Sequence, residues 1–305
     1  MKLKKSRVLI SVLNYNNFLL TKKCVYSILA SKIRNSEIYI VDNNSPDDSF
    51  LDLRKEFPKL KIQKSNINGG YASGHRIAVN YAINNNFELI WILNNDLTVK
   101  IDTLSELYKC YQNHGLALYG SISLKSENPD IINFGGGRTD DISKSFNYND
   151  YENFSLEDYN NKTGFRAVQS IEGSSFIIPI VVIKKYGFMS EDFFMYGEET
   201  DFCYRLNKLG IKSYVVPKSI IIHKGAESLK EKKYLEKYYR RRNFLYFEKT
   251  HYGKPIFKNI LKKSGIISSI KYFIKFYIGA QIKDELYYIN LANFHALINK
   301  KGQLK

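Results

Sequence analysis

Along the N-terminal third of the chain, short apolar runs alternate with segments of helical period. Arg7–Leu13, Glu37–Val41 and Leu89–Leu93 read as strands, and Leu19–Ala30 and Ala72–Ile83 as helices. Alternation of this kind predicts an α/β fold with a mostly parallel central sheet flanked by crossover helices. The strand runs are apolar almost throughout, as expected of central strands covered by helices on both faces. Each run ends in a polar cluster: Asn14-Tyr15-Asn16-Asn17, Asp42-Asn43-Asn44-Ser45 and Asn94-Asn95-Asp96. Ligands of open α/β sheets bind outside the carboxyl ends of the strands, so the three clusters are expected to face one crevice.

The pattern changes over residues 120–165, where Gly135-Gly136-Gly137 leads into an Asn- and Asp-rich stretch without clear period. A loop or lid is expected there. Ala167–Ile183 reads as a further strand or buried segment, Tyr186–Leu209 as an acidic stretch that becomes helical, and Tyr214–His223 as a last strand interrupted by Pro217. From Leu229 onward the chain reads as helical, with Tyr234, Leu235, Tyr238 and Tyr239 set among Lys and Arg. No internal repeat is visible.

At 305 residues and 44% hydrophobic composition, the chain has the material for a large core. Cys24, Cys110 and Cys203 form neither a CxxC nor an even framework, which fits a reducing cytosol. The start, Met1–Asn14, is basic and then apolar but lacks a small-residue cleavage site, so it reads as a strand. The longest membrane-span candidate, Phe176–Ile183, is interrupted by Pro179 and falls well short of the roughly 18 apolar residues a spanning helix needs. A cytoplasmic protein, soluble or peripheral, is expected.

Charge adds one feature. Residues 224–305 hold 19 Lys/Arg against 6 Asp/Glu, so +13 of the net +16 is C-terminal. Such a surface suits nucleic acid, anionic lipid or phosphorylated substrates, and charge does not choose among them. Within it Ile266–Ile278 sets aromatic and aliphatic residues around Lys271 and Lys275. That pattern fits a helix lying in an anionic membrane interface, or an ordinary helical subdomain or homodimer face with a solvated basic side.

Four constellations carry candidate chemistry. Asp96, with the amides of Asn94 and Asn95, stands where a strand ends and suits a hard divalent cation; an Asx-turn explains the same triplet. Asp42 is placed to accept the imide N–H of uracil or thymine, or to cap a turn, and Tyr15 could stack on the base. Glu198, Glu199 and Asp201, with Glu191 and Asp192 upstream, offer crowded carboxylates, one of which could stay basic enough to take a proton from a hydroxyl. Acids in a first helical turn also suit the helix dipole. His223 stands alone at a strand end, as a structural residue or a ligand.

In this order the blocks resemble the family 2 glycosyltransferases, and more closely their rhamnosyltransferase-like branch. The resemblance runs from about Val8 to Phe247. It rests on Asn14-Tyr15-Asn16-Asn17, Val41-Asp42-Asn43-Asn44-Ser45, Asn68-Gly69-Gly70-Tyr71-Ala72-Ser73-Gly74, Leu93-Asn94-Asn95-Asp96, Phe193–Asp201 and Arg241-Arg242-Asn243. It implies a GT-A domain over 1–247, with a nucleotide-binding half to about 100, an acceptor half over 101–247, and a helical basic extension over 248–305.

The resemblance also implies roles. Asp96 would hold Mg²⁺ or Mn²⁺, with His223 where some relatives place a histidine ligand. Glu199 would be the base, and Glu198 and Asp201 would orient it or the acceptor. Leu13, Tyr15, Asp42, Asn44, Gly70, Asn94, Asn95 and one of His75 or Arg76 would meet the nucleotide. The implied reaction is inverting transfer from a UDP- or dTDP-sugar, dTDP-rhamnose among them. The acceptor would be a saccharide, free or linked to polyprenyl diphosphate, in bacterial surface polysaccharide synthesis. A sugar-phosphate nucleotidyltransferase is the competing enzyme, but no Gly-rich, basic triphosphate loop follows the first strand. A nucleic-acid-binding protein would leave the acidic cluster without a role, and no nucleic-acid partner is expected.

Overall fold

A computed structural model describes residues 7–31, 35–139, 148–149, 151–162, 164–225, 233–257 and 285–304, with isolated positions between 260 and 274. The chain begins β1 (Val8–Asn14), α1 (Phe18–Leu29), β2 (Ser36–Asp42), α2 (Ser49–Glu56), β3 (Lys61–Lys64), α3 (Tyr71–Asn84) and β4 (Leu89–Asn94). It continues with β5 (Leu97–Val99), α4 (Thr103–His114), β6 (Leu118–Lys125), β7 (Ile132–Phe134), a small hairpin of β8 (Gly137–Arg138) and β9 (Tyr148–Asn149), and α5 (Leu156–Lys162). Then come β10 (Arg166–Val168), β11 (Ser175–Pro179), α6 (Ile180–Tyr186), α7 (Glu198–Lys208), β12 (Ser213–His223), α8 (Lys233–Tyr252) and α9 (Glu285–Leu297).

Ten strands form one sheet whose main path is β10-β12-β6-β11-β4-β1-β2-β3, with β5 added beside β12 and β7 beside β6. From β3 to β4 every pairing is parallel. Strand β11 then runs antiparallel to both β4 and β6, and β12 returns parallel to β6. The sheet is therefore mixed in its C-terminal half, where a mostly parallel sheet is expected from the sequence. The apolar run Phe176–Ile183 divides at Pro179, its first part completing strand β11 and its second forming most of helix α6.

Two apolar layers sandwich the sheet. Ala78, Val79 and Ala82 of α3 and Phe202 and Leu206 of α7 pack on one face, and Val25 and Ile28 of α1 and Leu104 and Leu107 of α4 on the other. Two strands escape the apolar pattern for opposite reasons. β3 is a mostly exposed edge of sequence Lys-Ile-Gln-Lys, so burial asks little of it. β6 is buried but carries Gly120, Ser121 and Ser123; Ser121 Oγ lies 2.8 Å from the hydroxyls of Ser175 and Ser219, so hydroxyl pairs fill the place of apolar contacts. In β12 the pairing with β6 slips between Val216 and Ile220, a bulge that accommodates Pro217.

Beyond the sheet, α8 and α9 pack together and close over Phe194 through Tyr238, Tyr239, Tyr287 and Leu291. Helix α8 runs unbroken from Lys233 to Tyr252, so the boundary expected at 247 falls inside a helix. The expected amphipathic segment Ile266–Ile278 lies, apart from Ile270, Lys271 and Ile274, outside the described residues. Among the described residues no helix is long and apolar enough to cross a membrane.

Candidate active site

The strand order 3-2-1-4 in the N-terminal half puts a switch of direction between β1 and β4, where a crevice opens at the carboxyl ends. A cleft of about 680 Å³ lies there. Of the residues singled out from the sequence, Leu13, Tyr15, Gly70, Asn94, Asn95, Asp96, Glu198, Glu199 and His223 line it. A second cavity of about 520 Å³ sits at the other end of the strands, beside Ile10, Glu37 and Lys61.

Asp96 stands in the turn between β4 and β5. The antiparallel pairing of β5 with β12 sets His223 opposite Leu97, so two residues far apart in sequence meet. His223 Nε2 lies 3.1 Å from Asp96 Oδ1, and its Nδ1 lies 3.1 Å from Glu172 Oε1. Glu172 arrives because β11 pairs with β4, with Ser175 opposite Leu93 and the Asn94 N–H donating to Ser174 O at 3.0 Å.

Burial by itself would lower the His223 pKa, but the Glu172 charge and the hydrogen bonds to both carboxylates raise it to about 10. Burial would raise Asp96; the His223 contact, aided by an Asn94 hydrogen bond, holds it below the usual carboxylate range. Glu172 is lowered too, its burial outweighed by the charge and hydrogen bond of His223 and by Ser174.

Across the cleft, Glu198 and Glu199 occupy the first turn of α7 behind Gly197, which takes φ of +96°. Both carboxyls are raised. For Glu198 burial comes first and the neighbouring Glu199 charge second; for Glu199 burial leads, and backbone hydrogen bonds and Arg240 only partly offset it. Glu198 Oε2 is buried without a hydrogen-bond partner. Arg240 extends from α8 over the Tyr196 ring at 4.3 Å and pairs with Glu236 at 2.7 Å.

The segment before α7 is held by the Arg241-Arg242-Asn243 block. Phe194 and Tyr196 both take φ of +66°, a region that side chains with a Cβ seldom occupy. Asn243 Nδ2 lies 2.9, 2.8 and 2.7 Å from the carbonyls of Phe193, Met195 and Tyr196. Arg242, fully buried, donates to Phe193 O and Gly302 O at 2.8 and 2.6 Å. From the nucleotide half, the Tyr71 N–H donates to Phe194 O at 2.8 Å. A Cβ on Gly70 would stand 2.1 Å from that same oxygen, so the position requires glycine.

The remaining candidates lie elsewhere. Asp42 is fully buried and its carboxylate accepts from Asn14 Nδ2 at 2.6 Å, Ser45 N at 2.9 Å and Ser45 Oγ at 2.6 Å. It ties the ends of β1 and β2 together from behind the cleft. Asn44 is exposed at φ of +59°. His75 is fully buried with Nδ1 2.8 Å from Ser11 Oγ, and burial holds it neutral, its pKa at about 3. Arg76 pairs with Glu191 and donates to Met189 O. Asp201 turns away toward Arg205 and His251 at 2.8 and 2.7 Å. Asn43, Asn68, Tyr71 and Tyr196 of the quoted blocks also line the cleft, and the lining residues that lie outside every block include Asn133 and Glu172.

Sheet, switch point and the Asp96 turn together are those of the GT-A fold. The chain belongs to glycosyl transferase family 2, whose description matches residues 9–168. It is 27% identical over 179 residues to a low-salt glycan biosynthesis hexosyltransferase of Haloferax volcanii, covering 58% of this chain and 55% of that protein. The chain thus spans little more than half of that relative's length.

Two solved structures share the fold. GalNAc-T7, solved with UDP, GalNAc and Mn²⁺, matches at a TM-score of 0.58 and 16% identity over 71% of this chain and 43% of its own. The mannosyltransferase PcManGT of Pyrobaculum calidifontis, solved with GDP-Man and Mn²⁺, matches at 0.59 and 14% over 96% and 72%.

Proposed function

We propose that the chain is a glycosyltransferase that moves a sugar from a nucleoside diphosphate to an acceptor hydroxyl, with Asp96 and His223 holding a divalent cation. One observation carries this reading: in a family 2 chain, one cleft sets the Asp96–His223 donor pair against the raised Glu198–Glu199 pair. The donor set fits a hard cation. A charged carboxylate and an imidazole nitrogen stand 3.1 Å apart, and no group of three or more His, Cys, Asp or Glu among the described residues offers a full cage. Such a site is completed by substrate phosphate oxygens, as Mg²⁺ and Mn²⁺ sites often are. When bound, the cation would neutralise charge developing on the departing diphosphate.

Glu199 is assigned the base. It is only half-buried and faces the cleft, whereas Glu198 is enclosed. Its carboxylate takes the acceptor O–H proton while the oxygen attacks the anomeric carbon. The bond from that carbon to the diphosphate oxygen breaks, and configuration inverts. Tyr15, Asn43 and Asn68 hold the base of a UDP- or dTDP-sugar, dTDP-rhamnose included, and Asp42 acts by fixing the loops that carry them. The basic C-terminal part suits a saccharide acceptor carried on an anionic membrane surface.

Calorimetric titration with UDP, dTDP and GDP, each with and without Mn²⁺, followed by a donor-hydrolysis panel, tests the proposal. Binding of UDP or dTDP strengthened by Mn²⁺ in the wild type but not in Asp96→Asn is expected. Absence of binding by all three, with and without Mn²⁺, would overturn it.

A further inference from the structure

We infer that Glu172 is a positioning residue for His223: its carboxylate holds Nδ1 as a donor and so turns Nε2 toward Asp96 as the atom that meets the cation. The inference rests on the cation reading above, and it adds a residue that neither the sequence blocks nor the fold assigns.

The geometry is specific. The two ring nitrogens of His223 face two different carboxylates at equal distance, 3.1 Å, one on each side of the ring. Both carboxylates line the cleft, and what sets the Glu172 side apart is its anchorage to neighbouring side chains. Glu172 Oε2 accepts from Ser174 Oγ at 2.6 Å, and Oε1 accepts from Asn133 Nδ2 at 3.4 Å as well as from His223. Asn133 in turn is tied to Ser123 Oγ of β6 at 3.1 Å. The carboxylate is thus anchored by β7, β6 and the lead-in to β11, and cannot swing away with the ring. A histidine bound in this manner keeps its proton on Nδ1 whenever Nε2 gives up its own, and its ring plane is fixed.

Ligand orientation by such a partner is worth roughly 10–100-fold in metal affinity. Two variants separate reach from charge. Glu172→Gln keeps an oxygen at the same reach for the Nδ1 proton but removes the charge. Glu172→Asp keeps the charge but withdraws the oxygen by one methylene. The probe is Mn²⁺ itself, titrated into the full chain in the presence of UDP, with the free ion followed by electron paramagnetic resonance.

Glu172→Gln is expected to bind Mn²⁺ within about threefold of wild type and Glu172→Asp to bind it roughly 10–100-fold more weakly. The reverse order, with Asp retaining and Gln losing affinity, would overturn the inference, since Glu172 would then act through charge or as a direct ligand. Equal, unchanged affinity in both would overturn it as well. Asp96→Asn serves as the control. If it binds Mn²⁺ as the wild type does, the cation reading falls and takes this inference with it; if it loses Mn²⁺ while both Glu172 variants keep it, only the Glu172 inference falls.

Discussion

The cleft contains two carboxylate pairs handled in opposite ways. Asp96 and Glu172 share a histidine between them, and the hydrogen bonds and charge of that ring hold both acids below their ordinary range despite burial. Glu198 and Glu199 are neighbours on one helical turn, and burial raises both, aided by the Glu199 charge at Glu198 and by the Glu172 charge at Glu199. Equal chemistry in sequence has become different chemistry in space. On the proposed reading, the first pair stays charged beside a cation and the second receives a proton.

The sharpest way to break this contrast is to neutralise one acid from each pair. Glu199→Gln should lower transfer by about a hundredfold or more while leaving donor binding intact, since the base acts only on the acceptor proton. Asp96→Asn should lower turnover comparably but weaken Mn²⁺-dependent nucleotide binding too. Steady-state kinetics beside calorimetry separates the two patterns, and identical patterns would erase the distinction.

A smaller effect concerns pH and stability. A carboxyl whose folded pKa is raised binds its proton more tightly in the native than in the unfolded chain, so it favours folding at acid pH. That advantage is lost as pH climbs from the unfolded value, near 4.5, through the folded one. Glu198→Gln should therefore melt a few degrees above wild type at pH 8 and show little difference at pH 5. A variant less stable at pH 8 would show that the carboxylate has a partner the geometry lacks. For the same reason, transfer by the wild type should rise with pH through a value above the ordinary glutamate range.

Smaller again is the effect expected at the clamp. Asn243→Ala removes an amide that holds three carbonyls of the 193–196 segment, and should lower melting by about 1–3 kcal/mol of stability. It should lower kcat more than donor KM, because the released segment leads directly into Glu198 and Glu199, whereas its backbone link to the nucleotide half is the Tyr71 N–H. A change confined to donor KM would place the clamp's influence on the wrong half of the cleft.

Much of the nucleotide half was legible, because apolar strands that end in polar clusters state both the fold and the crevice. Asp96, Glu198 and Glu199 stood out through residue type and place. What was not legible depended on pairing or on the face of an element. Glu172 lies within the Ala167–Ile183 segment read as strand or buried, and meets His223 only through the β11–β4 and β5–β12 registers. His75 sits on the stripe Ala72, Ala78, Val79 and Ala82 that packs on the sheet, a helical period visible in the sequence and sufficient to turn it inward. Asp201 lies on the same helix as the acid pair but two residues past Glu199, a rotation that points it at Arg205 and His251. The antiparallel β11 hid in an apolar run that strand and helix share.

Whether the two acid pairs differ in protonation is read out by carbonyl-selective infrared difference spectroscopy of the metal-free protein between pH 5 and pH 8. A protonated carboxyl band that persists above the ordinary glutamate range should be present in the wild type and lost in Glu199→Gln or Glu198→Gln, while Asp96→Asn leaves it unchanged. A band removed by Asp96→Asn and untouched by both glutamine variants would contradict the account.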